Sequence, residues 1–500
     1  MESKILNAIK LAINEGFQIS ADCYEYLKGI DGENIEKIIL KCIEILSSKE
    51  KNKLIIDLET IKTSYKELFE NSDKNRLLSG KSSKEILAKE YVSNINVIED
   101  FNGKPICDVK GFVEYFKNRY KKLERIFHER FDVKDSIKIN QALNLPDKTR
   151  FKVVGLVSRK VMKSSRLMVE LEDEDSFIEL IGLDREVIDK GKFVFEDQVI
   201  CVDAVKYTNN LFVIKDFIWP DIPSKSLKKS ETPLCVAFIS DLHVGSKLFN
   251  KILFERFIQW INLKIGPPEL RNIASRVKYV IINGDLVDGI GIYPDQINEL
   301  EITDISEQYA EVYRFLSKLP DYIDIVITPG NHDATRKSLP QPPIIRDYAE
   351  SLYNDDRFHM YGNPLSIKVH GVDILIYHGK SLDDILTKVP GLNYRTPEKG
   401  AELLLKCRHL APIYGASTPL APMDEDKLVI SSIPDIMNLG HVHVYGYKKY
   451  RGVSIISSST WQNQTTFQKK LGLFPTPGIV PILDLQNSEI KTIDFNNLNY

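Results

Sequence analysis

Hydrophobic and polar positions recur with different periods along the chain, and each period predicts a different module. In residues 1–70, apolar residues recur every three or four positions from Ile5 to Phe17 and again from Ile35 to Ile45. This is the spacing of one face of a helix. We therefore predict a small helical N-terminal module, and a docking or packing role without chemistry is its simplest interpretation.

Residues 71–145 combine a polar stretch with an aromatic one. The stretch up to about residue 105 is polar and is interpreted as a linker, within which Tyr91–Val97 could pack against another element. Aromatic residues from Phe112 to Phe131 then recur at helical spacing, with Lys and Arg between them. Aromatic and basic residues in this mixture can stack on nucleic-acid bases. Helical spacing favours a stripe that faces the core instead, so this region is predicted to be a linker and a connecting helix.

Between residues 150 and 222 the period changes to that of β-strands. Five short β-prone runs occur there: Phe151–Val157, Leu167–Leu171, Phe177–Ile181, Val199–Val205 and Leu211–Ile218. Five strands in a segment this short predict a small β-barrel of the oligonucleotide-binding type. Such barrels also serve purely as packing modules, so the spacing leaves the role of this one open.

From residue 232 to 500, apolar runs alternate with helical stretches, which predicts a layered α/β domain. Five runs are expected to be buried strands: Leu234–Ile239, Tyr279–Ile282, Asp324–Thr328, Val372–Tyr377 and Asp435–Leu439. Each run ends in a cluster of polar residues able to bind metal. Layered α/β folds place their ligands at strand ends, so these clusters are the candidate site. The fold class predicted for the whole chain is a multidomain α/β (α+β) protein.

Composition narrows the class of protein. The 500 residues allow several domains, and 43% hydrophobic with 27% charged residues is typical of soluble globular chains. A membrane-spanning apolar run and a signal peptide are both missing from the sequence, so a cytoplasmic protein with reduced cysteines is expected. The net charge of −3 argues against a chain coated with positive charge. A nucleic-acid substrate would then need a local basic surface or a partner.

The five polar clusters contain the residue types of a two-metal site. They are Asp241-Leu242-His243, Gly284-Asp285-Leu286-Val287-Asp288-Gly289, Gly330-Asn331-His332-Asp333, His378-Gly379 and Gly440-His441-Val442-His443. At a strand end, residues two apart point the same way into a cleft. A carboxylate can bridge two cations, an asparagine supplies a neutral oxygen, and imidazole suits Mn, Fe, Zn or Ni. One cluster alone is weak evidence, whereas all five in this order predict one shared site.

We predict two metal positions that share one carboxylate. The first is assigned to Asp241, His243, Asp285 and His443, and the second to Asp285, Asn331, His378 and His441. Two cations about 3.5–4 Å apart clamp the oxygens of a phosphate during in-line attack by hydroxide. His332 has no metal in this scheme and is predicted to protonate the leaving oxygen, with Asp333 orienting it. Manganese and zinc share these ligands, so the residue types leave the metal open.

These clusters resemble those of the calcineurin-like metallophosphoesterase superfamily. Longer motifs are similar to those of the small subunits of archaeal family D DNA polymerases: ISDLHVGS from Ile239, NGDLVDGIGIYPDQ from Asn283, PGNHDATRKSLPQPPI from Pro329, YHGKSLDDI from Tyr377, RHLAPIYGASTPLAP from Arg408 and PDIMNLGHVHVYGYKKYRG from Pro434. The resemblance covers roughly residues 150–490 and is vague before about residue 140. Every metal-ligand position matches the pattern.

The resemblance implies an oligonucleotide-binding barrel followed by a calcineurin-like phosphoesterase domain. It also implies 3′→5′ exonuclease activity for proofreading, with manganese as the metal and a single-stranded or mismatched DNA 3′ end as the substrate. A large catalytic subunit that synthesises DNA is the implied partner. The near-neutral charge fits this arrangement, because the partner can hold most of the primer–template.

Other interpretations of the same residues remain open. A phosphatase or cyclic phosphodiesterase for small molecules would use the same ligands, although the barrel and N-terminal module argue against it. A non-catalytic polymerase scaffold is a second alternative, which the complete ligand set disfavours. A sliding clamp is a further candidate partner, since Gln468, Leu471 and Phe474 in QKKLGLF have the first spacings of a clamp-binding peptide. Pro475 stands where a second aromatic residue is needed, so coincidence is favoured and any clamp contact is expected to be indirect.

Overall fold

The computed structural model describes residues 2–14, 17–28, 35–49, 55–65, 86–101, 103–106, 108–208 and 210–498. The chain divides into two units, Met1–Glu85 and Ile86–Tyr500. Residues 71–85, which belong to the predicted linker, lie outside the described part, as does Cys107. Among the described helices, none combines the length and the apolarity needed to cross a bilayer.

The described part of the first unit is mainly helical. Its elements are α1 (Glu2–Asn14), β1 (Gln18–Ile19), α2 (Ala21–Leu27), α3 (Ile35–Lys49), β2 (Ile55–Ile56) and α4 (Leu58–Tyr65). The two short strands pair in parallel. Ile5 of α1, Ile38 and Ile39 of α3 and Ile61 of α4 are buried in one apolar cluster. These residues lie at helical spacing on their elements, so the unit has a core of its own.

The segment that precedes the barrel contains a strand that its polar composition conceals. Ile95–Glu99 forms β3, which pairs antiparallel with Leu365–Val369 at the edge of a C-terminal sheet. This strand overlaps Tyr91–Val97, the part of the predicted linker that was expected to be able to pack, and Tyr91 and Ile95 do pack against a buried core. An edge strand buries little of its surface, and Val97 and Ile98 are both exposed. The hydrophobic signal is correspondingly weak.

Helix α5 (Val109–His128) is the predicted connecting helix. Tyr115, Tyr120 and Phe127 are buried along one side of it, so the core-facing interpretation of the aromatic stripe is confirmed for these residues. Phe131 lies beyond the helix and is exposed.

A buried ion pair joins α5 to the C-terminal part of the second unit. Nε of Arg119 lies 2.8 Å from Oδ2 of Asp426, and both side chains are almost fully buried. The hydroxyl of Tyr115 donates to Asp426 at 2.9 Å, and Nε2 of His409 lies 2.9 Å from the same carboxylate. A buried carboxylate is tolerated only when it is paired in this way. The network thereby fixes the position of α5.

The predicted five-stranded barrel is confirmed. Its strands are β4 (Thr149–Lys163), β5 (Arg166–Glu172), β6 (Phe177–Gly182), β7 (Val199–Thr208) and β8 (Leu211–Ile218). Their order is β4-β5-β6-β8-β7, and β7 closes onto β4. Helices α6 (Ile139–Leu143) and α7 (Arg185–Gly191) complete this part. Val153, Val169 and Leu180 belong to its buried core, as alternation along strands requires.

Two six-stranded sheets form the C-terminal part of the chain. The first has the order β12-β11-β10-β9-β18-β19, and the second β16-β17-β15-β14-β13-β3. The strands are β9 (Cys235–Ile239), β10 (Val277–Asn283), β11 (Asp324–Thr328), β12 (Phe358–Met360), β13 (Leu365–Val369), β14 (Val372–Ile376), β15 (Ile436–Leu439), β16 (Gly446–Tyr450), β17 (Val453–Ser457), β18 (Ile479–Asp484) and β19 (Glu489–Asp494). All five strands predicted for this domain are present, as β9, β10, β11, β14 and β15.

The sheets are sandwiched between helices. These are α8 (Lys251–Ile261), α9 (Pro268–Ala274), α10 (Ile305–Leu316), α11 (Glu350–Tyr353), α12 (Leu382–Lys388), α13 (Pro397–Cys407) and α14 (Thr466–Lys470). Val236 and Phe238 of β9 are buried together with Ile374 and Ile376 of β14, so this core lies between the sheets. Ala237 belongs instead to the core shared with α8, α9 and α10. The second sheet packs its outer side on α12 and α13, which gives four layers.

Candidate metal centre

The predicted ligands all follow the carboxyl ends of five strands. Strands β9, β10 and β11 run parallel in the first sheet, and β14 and β15 run parallel in the second. Because the ends of parallel strands meet at one edge of a sheet, the loops after them converge there. They carry Asp241 and His243, Asp285, Asn331, His378, and His441 and His443. Side-chain contacts bring these residues together in two groups.

The first group contains Asp241, His243 and His443, whose candidate ligand atoms all lie within 4.8 Å of one another. The Nε2 atoms of the two histidines are 3.0 Å apart. Nε2 of His443 lies 3.3 Å from Oδ1 of Asp241. Neighbouring ligands about 2.1 Å from one ion would lie roughly 3.0–3.4 Å apart. The three side chains therefore converge on a space the size of one cation.

The second group contains Asp285, His378 and His441, with candidate ligand atoms again within 4.8 Å. Nε2 of His378 lies 3.3 Å from Oδ2 of Asp285 and 3.3 Å from Oδ1 of Asn331. The same Oδ2 of Asp285 lies 3.8 Å from Nε2 of His243 in the first group. Asp285 thus stands between the two groups, which is the position that a bridging ligand needs.

The backbone of this site is strained at five ligand positions. The φ angles are 52° at Asp241, 53° at His243, 52° at Asp285, 68° at His441 and 63° at His443. A residue other than glycine rarely adopts this left-handed conformation, which costs about 1–3 kcal/mol at each residue. Strain of this kind persists where the surrounding structure enforces it, and it concentrates at functional sites.

A cation fits the donor set. Oδ1 of Asp241 is buried and accepts no hydrogen bond from the described residues, and the nitrogen of His443 that lies 3.3 Å from it is itself a candidate ligand. Burying a carboxylate oxygen without a hydrogen bond is costly, and a bound cation would offset that cost. The remaining candidate donors are imidazole nitrogens and the oxygens of Asp285 and Asn331, which suit manganese, iron or zinc.

Two glycines allow the strand ends to approach each other. A Cβ atom at Gly330 would lie 2.2 Å from Oδ1 of Asp285. A Cβ atom at Gly284, where φ is +80°, would lie 2.3 Å from Nδ1 of His378. Both distances are impossible for real atoms, so a side chain at either position would displace a predicted ligand.

Three residues outside the predicted ligand set contact the histidines of the site. Oδ1 of Asp288 lies 3.0 Å from Nδ1 of His243, Oδ2 of Asp383 lies 2.9 Å from Nε2 of His441, and Nε2 of Gln468 lies 3.1 Å from Nδ1 of His443. The carboxylates of Asp288 and Asp383 can fix both the orientation and the tautomer of their histidines, whereas the amide of Gln468 holds the ring of His443 in place. Asp288 stands in the second of the five predicted clusters, whereas Asp383 lies outside them and is signalled only by its place in a family motif. The side chain of Gln468 is engaged in the site, which disfavours a clamp-binding role for QKKLGLF.

The structure corrects the role predicted for Asp333. Its carboxylate accepts hydrogen bonds from the backbone N–H groups of Gly330 and Leu286 and from the hydroxyl of Tyr309. These bonds tie the loop after β11 to the loop after β10 and to α10. The imidazole of His332 is oriented by the backbone carbonyl of Asp288. Asp333 therefore shapes the loop and does not position that ring.

His332 is held by the backbone. Its Nδ1 lies 2.7 Å from the carbonyl oxygen of Asp288, and its own N–H donates to Oδ1 of Asp285 at 2.7 Å. A carbonyl can only accept, so Nδ1 carries the proton and Nε2 is left to face a substrate. Burial lowers the pKa of His332 to about 4. In contrast, although burial opposes ionisation, His378 and His332 hold the pKa of Asp285 well below its usual range.

The two groups open into a cleft of about 540 Å³. His243, Asp285, Asn331, His332, His441 and His443 line it, together with the side chains of Tyr293, Lys380, Tyr394, Phe467 and Leu471. A volume in this range accommodates a small ligand or one end of a larger one. The site is therefore open to substrate rather than sealed.

Sequence comparison relates the chain to the accessory subunits of DNA polymerases. A family model for the B subunits of DNA polymerases alpha and epsilon matches residues 236–446. Proteins named DNA polymerase II small subunit are similar over much more of the chain. That of Archaeoglobus fulgidus is 39% identical over 390 residues, which is 78% of this chain and 78% of the relative. That of Thermoplasma acidophilum is 35% identical over 488 residues, which is 93% of this chain and 96% of the relative. The chain belongs to the family of archaeal DNA polymerase II small subunits, those of family D.

Coverage differs among these relatives. The Pyrococcus horikoshii protein is 40% identical over 392 residues, and this match spans 78% of the chain but only 63% of the relative's length. Among solved structures, an archaeal phosphodiesterase aligns with 52% of this chain and 99% of its own, at 15% identity and a TM-score of 0.27. A score at that level identifies neither a fold nor an activity.

Proposed function

We propose that this chain is a two-metal 3′→5′ exonuclease that hydrolyses DNA phosphodiesters for proofreading, as the small subunit of a replicative DNA polymerase. The observation that carries the proposal is the position of Asp285 between two groups of candidate ligands, beside the buried Oδ1 of Asp241, which accepts no hydrogen bond from the described residues. Membership of a polymerase small-subunit family supports DNA as the substrate class.

The fold supports the same assignment. We assign residues 232–500 to a calcineurin-like phosphoesterase domain, because two facing sheets between helices place every candidate ligand at strand ends. Residues 150–222 are assigned to an oligonucleotide-binding barrel, which the strand order β4-β5-β6-β8-β7 supports. Residues 1–70 would serve as a docking module, and residues 71–145 connect it to the barrel. The proposed partner is a large catalytic polymerase subunit, for which this chain also acts as scaffold.

The chemistry would break the bond between phosphorus and the 3′ oxygen of the penultimate nucleotide. Two divalent cations, Mn²⁺ in this proposal, would supply an activated water and neutralise the phosphate oxygens. With Nδ1 bonded to the carbonyl of Asp288, the neutral ring of His332 carries no proton on Nε2. An anionic phosphodiester beside the ring favours uptake of a proton from solvent at Nε2, and His332 would then give this proton to the departing 3′ oxygen. The products are a nucleoside 5′-monophosphate and a shortened strand with a 3′ hydroxyl.

The test is digestion of a 5′-labelled single strand and a mismatched primer–template by the purified chain, with Mn²⁺, with Mg²⁺ and with chelator. We expect a metal-dependent ladder that shortens from the 3′ end. Asp285→Asn should abolish it and His332→Ala should lower it by about 10²–10⁴-fold. His128→Ala, which removes an exposed histidine of α5, is the matched control and should behave as wild type.

The outcomes separate the alternatives. Wild-type rates in His332→Ala would contradict the proton-donor role, and turnover of small phosphodiesters without any action on DNA would favour a small-molecule enzyme. If the chain is inactive with every metal, adding the large subunit decides between a nuclease that needs its partner and a scaffold without activity.

A further inference from the structure

One wall of the metal cleft is apolar, although it belongs to an exposed segment. Phe467, on α14, is 60% exposed and Leu471, just after it, is 56% exposed. Both side chains line the cleft that contains the candidate ligands. An exposed apolar surface at the rim of a polar site is typical of a ligand contact, because leaving it in water has a cost.

The segment that carries Phe467 and Leu471 is hydrogen-bonded to His443, a residue of the candidate metal centre. The backbone N–H of Thr476 donates to the carbonyl of His443 at 2.9 Å, and Nε2 of Gln468 contacts the ring of the same histidine at 3.1 Å. Oε1 of Gln468 also accepts from the N–H of Thr465, which caps α14 in return. The positions of Phe467 and Leu471 relative to His443 are therefore set by the fold rather than by a free loop.

We infer that Phe467, flanked by Leu471, is a subsite that stacks on the unpaired nucleobase at the 3′ end of the substrate. This inference rests on the proposed nuclease function, and it names Phe467 as the residue that selects an unpaired 3′ end as the substrate. Aromatic side chains stack on any base, and basic residues beside them attract the backbone. Lys469 and Lys470 are both exposed on the same helix turn, so α14 presents this combination next to the ligand His443.

The cleft favours a single unpaired end. Its volume of about 540 Å³ is shared with the phosphate-binding groups, and pockets of roughly 300–1,000 Å³ accommodate ligands of nucleotide size. A base-paired end is a much larger body, and pairing holds its terminal base within the duplex stack. The terminal base must leave the duplex to reach Phe467, which mismatched ends do at lower cost.

The experiment compares two single-stranded oligonucleotides, one with an ordinary 3′ nucleotide and one whose 3′ residue lacks a base. We measure kcat/KM for wild type, Phe467→Ala and Phe474→Ala in Mn²⁺. Phe474 is 59% exposed in the same segment but does not line the cleft, which makes it a matched control. Wild type should prefer the ordinary end by about 5-fold to 150-fold, the range expected for one stacked base.

Phe467→Ala should abolish this preference and leave the rate on the abasic end unchanged, whereas Phe474→Ala should keep it. An equal loss on both substrates would overturn the inference, because it would mean damage to the metal centre through Gln468. An undiminished preference, or an effect confined to binding of the large subunit, would overturn it as well.

If wild type cleaves neither oligonucleotide, with or without the large subunit, the proposed function fails and a binding measurement decides the inference alone. An oligonucleotide with 2-aminopurine at its 3′ end is titrated with the full chain in the presence of chelator. Stacking quenches the probe's fluorescence, so quenching by wild type and by Phe474→Ala but not by Phe467→Ala supports the subsite. The same signal in all three proteins, or none in any of them, contradicts it.

Discussion

Removing divalent cations is predicted to lower the free energy of unfolding of the chain. The dependence of this free energy on metal concentration then shows how many ions bind. Each ion that binds only the folded chain raises the free energy of unfolding by about 1.4 kcal/mol for every tenfold increase in its concentration above its Kd. Oδ2 of Asp285 faces both His243 and His378. If two ions share this carboxylate, the slope for wild type is roughly 2.7 kcal/mol per tenfold.

Variants distinguish the two positions. His441→Ala removes a ligand from the second group only, and its slope should fall to about 1.4 kcal/mol per tenfold. Asp285→Asn weakens both positions at once, so its slope should approach zero over the same concentrations. His128→Ala changes an exposed histidine outside the site and should keep the full slope.

The assay is urea unfolding at a series of Mn²⁺ concentrations, followed by tryptophan fluorescence. Trp260 and Trp461 are both buried in the core between the first sheet and its helices, and the N–H of Trp461 donates to the carbonyl of Asp241 at 3.0 Å. Trp219, the third tryptophan of the sequence, packs with the barrel core and is replaced by phenylalanine in every protein compared, so the signal reports the part of the chain that carries the site. If Asp285→Asn keeps the wild-type slope, Asp285 is not a shared ligand. If the slope of wild type is only about 1.4 kcal/mol per tenfold, the chain binds one ion and not two.

Three further outcomes are expected. Arg119→Met should lower the free energy of unfolding in urea by about 3–5 kcal/mol, because it leaves the buried carboxylate of Asp426 without its cation. Gln468→Ala should reduce metal-dependent hydrolysis by about 10–100-fold without unfolding the chain, since the ring of His443 loses its support. Burial lowers the pKa of His409 to about 4 from an ordinary value of 6.5. Between pH 6.5 and about pH 4, His409 is therefore protonated in the unfolded chain but not in the folded chain. Stability should fall as pH falls through this window, and urea unfolding of His409→Asn should show a weaker fall.

The strands and the ligand types follow from the sequence because their signals are local. A buried strand needs a run of apolar residues, and β9, β10, β11, β14 and β15 each have one. The polar clusters stand directly after these runs, and parallel strands bring their ends to one edge. The five-stranded barrel was predictable for the same reason, since a short β-prone run marks each of its strands.

Strand β3 shows where local signals are insufficient. Ile95–Glu99 pairs with β13, Leu365–Val369, which lies far along the chain. Because β3 lies at a sheet edge, it buries too little surface to need an apolar run. The sequence indicates that Tyr91–Val97 could pack, but the partner strand is decided by the edge of β13, which no local feature reveals.

The detailed chemistry of the site was decided by tertiary structure. Asp383 meets His441, Gln468 meets His443, and a backbone carbonyl rather than Asp333 orients His332. Side-chain orientation at a loop depends on backbone dihedrals, and the left-handed φ angles of the ligands are imposed by the two sheets that hold the loops. The sequence by itself determined which atoms are available to bind cations. Only the packing of the sheets determined which of those atoms converge, because convergence depends on contacts between residues far apart in the chain.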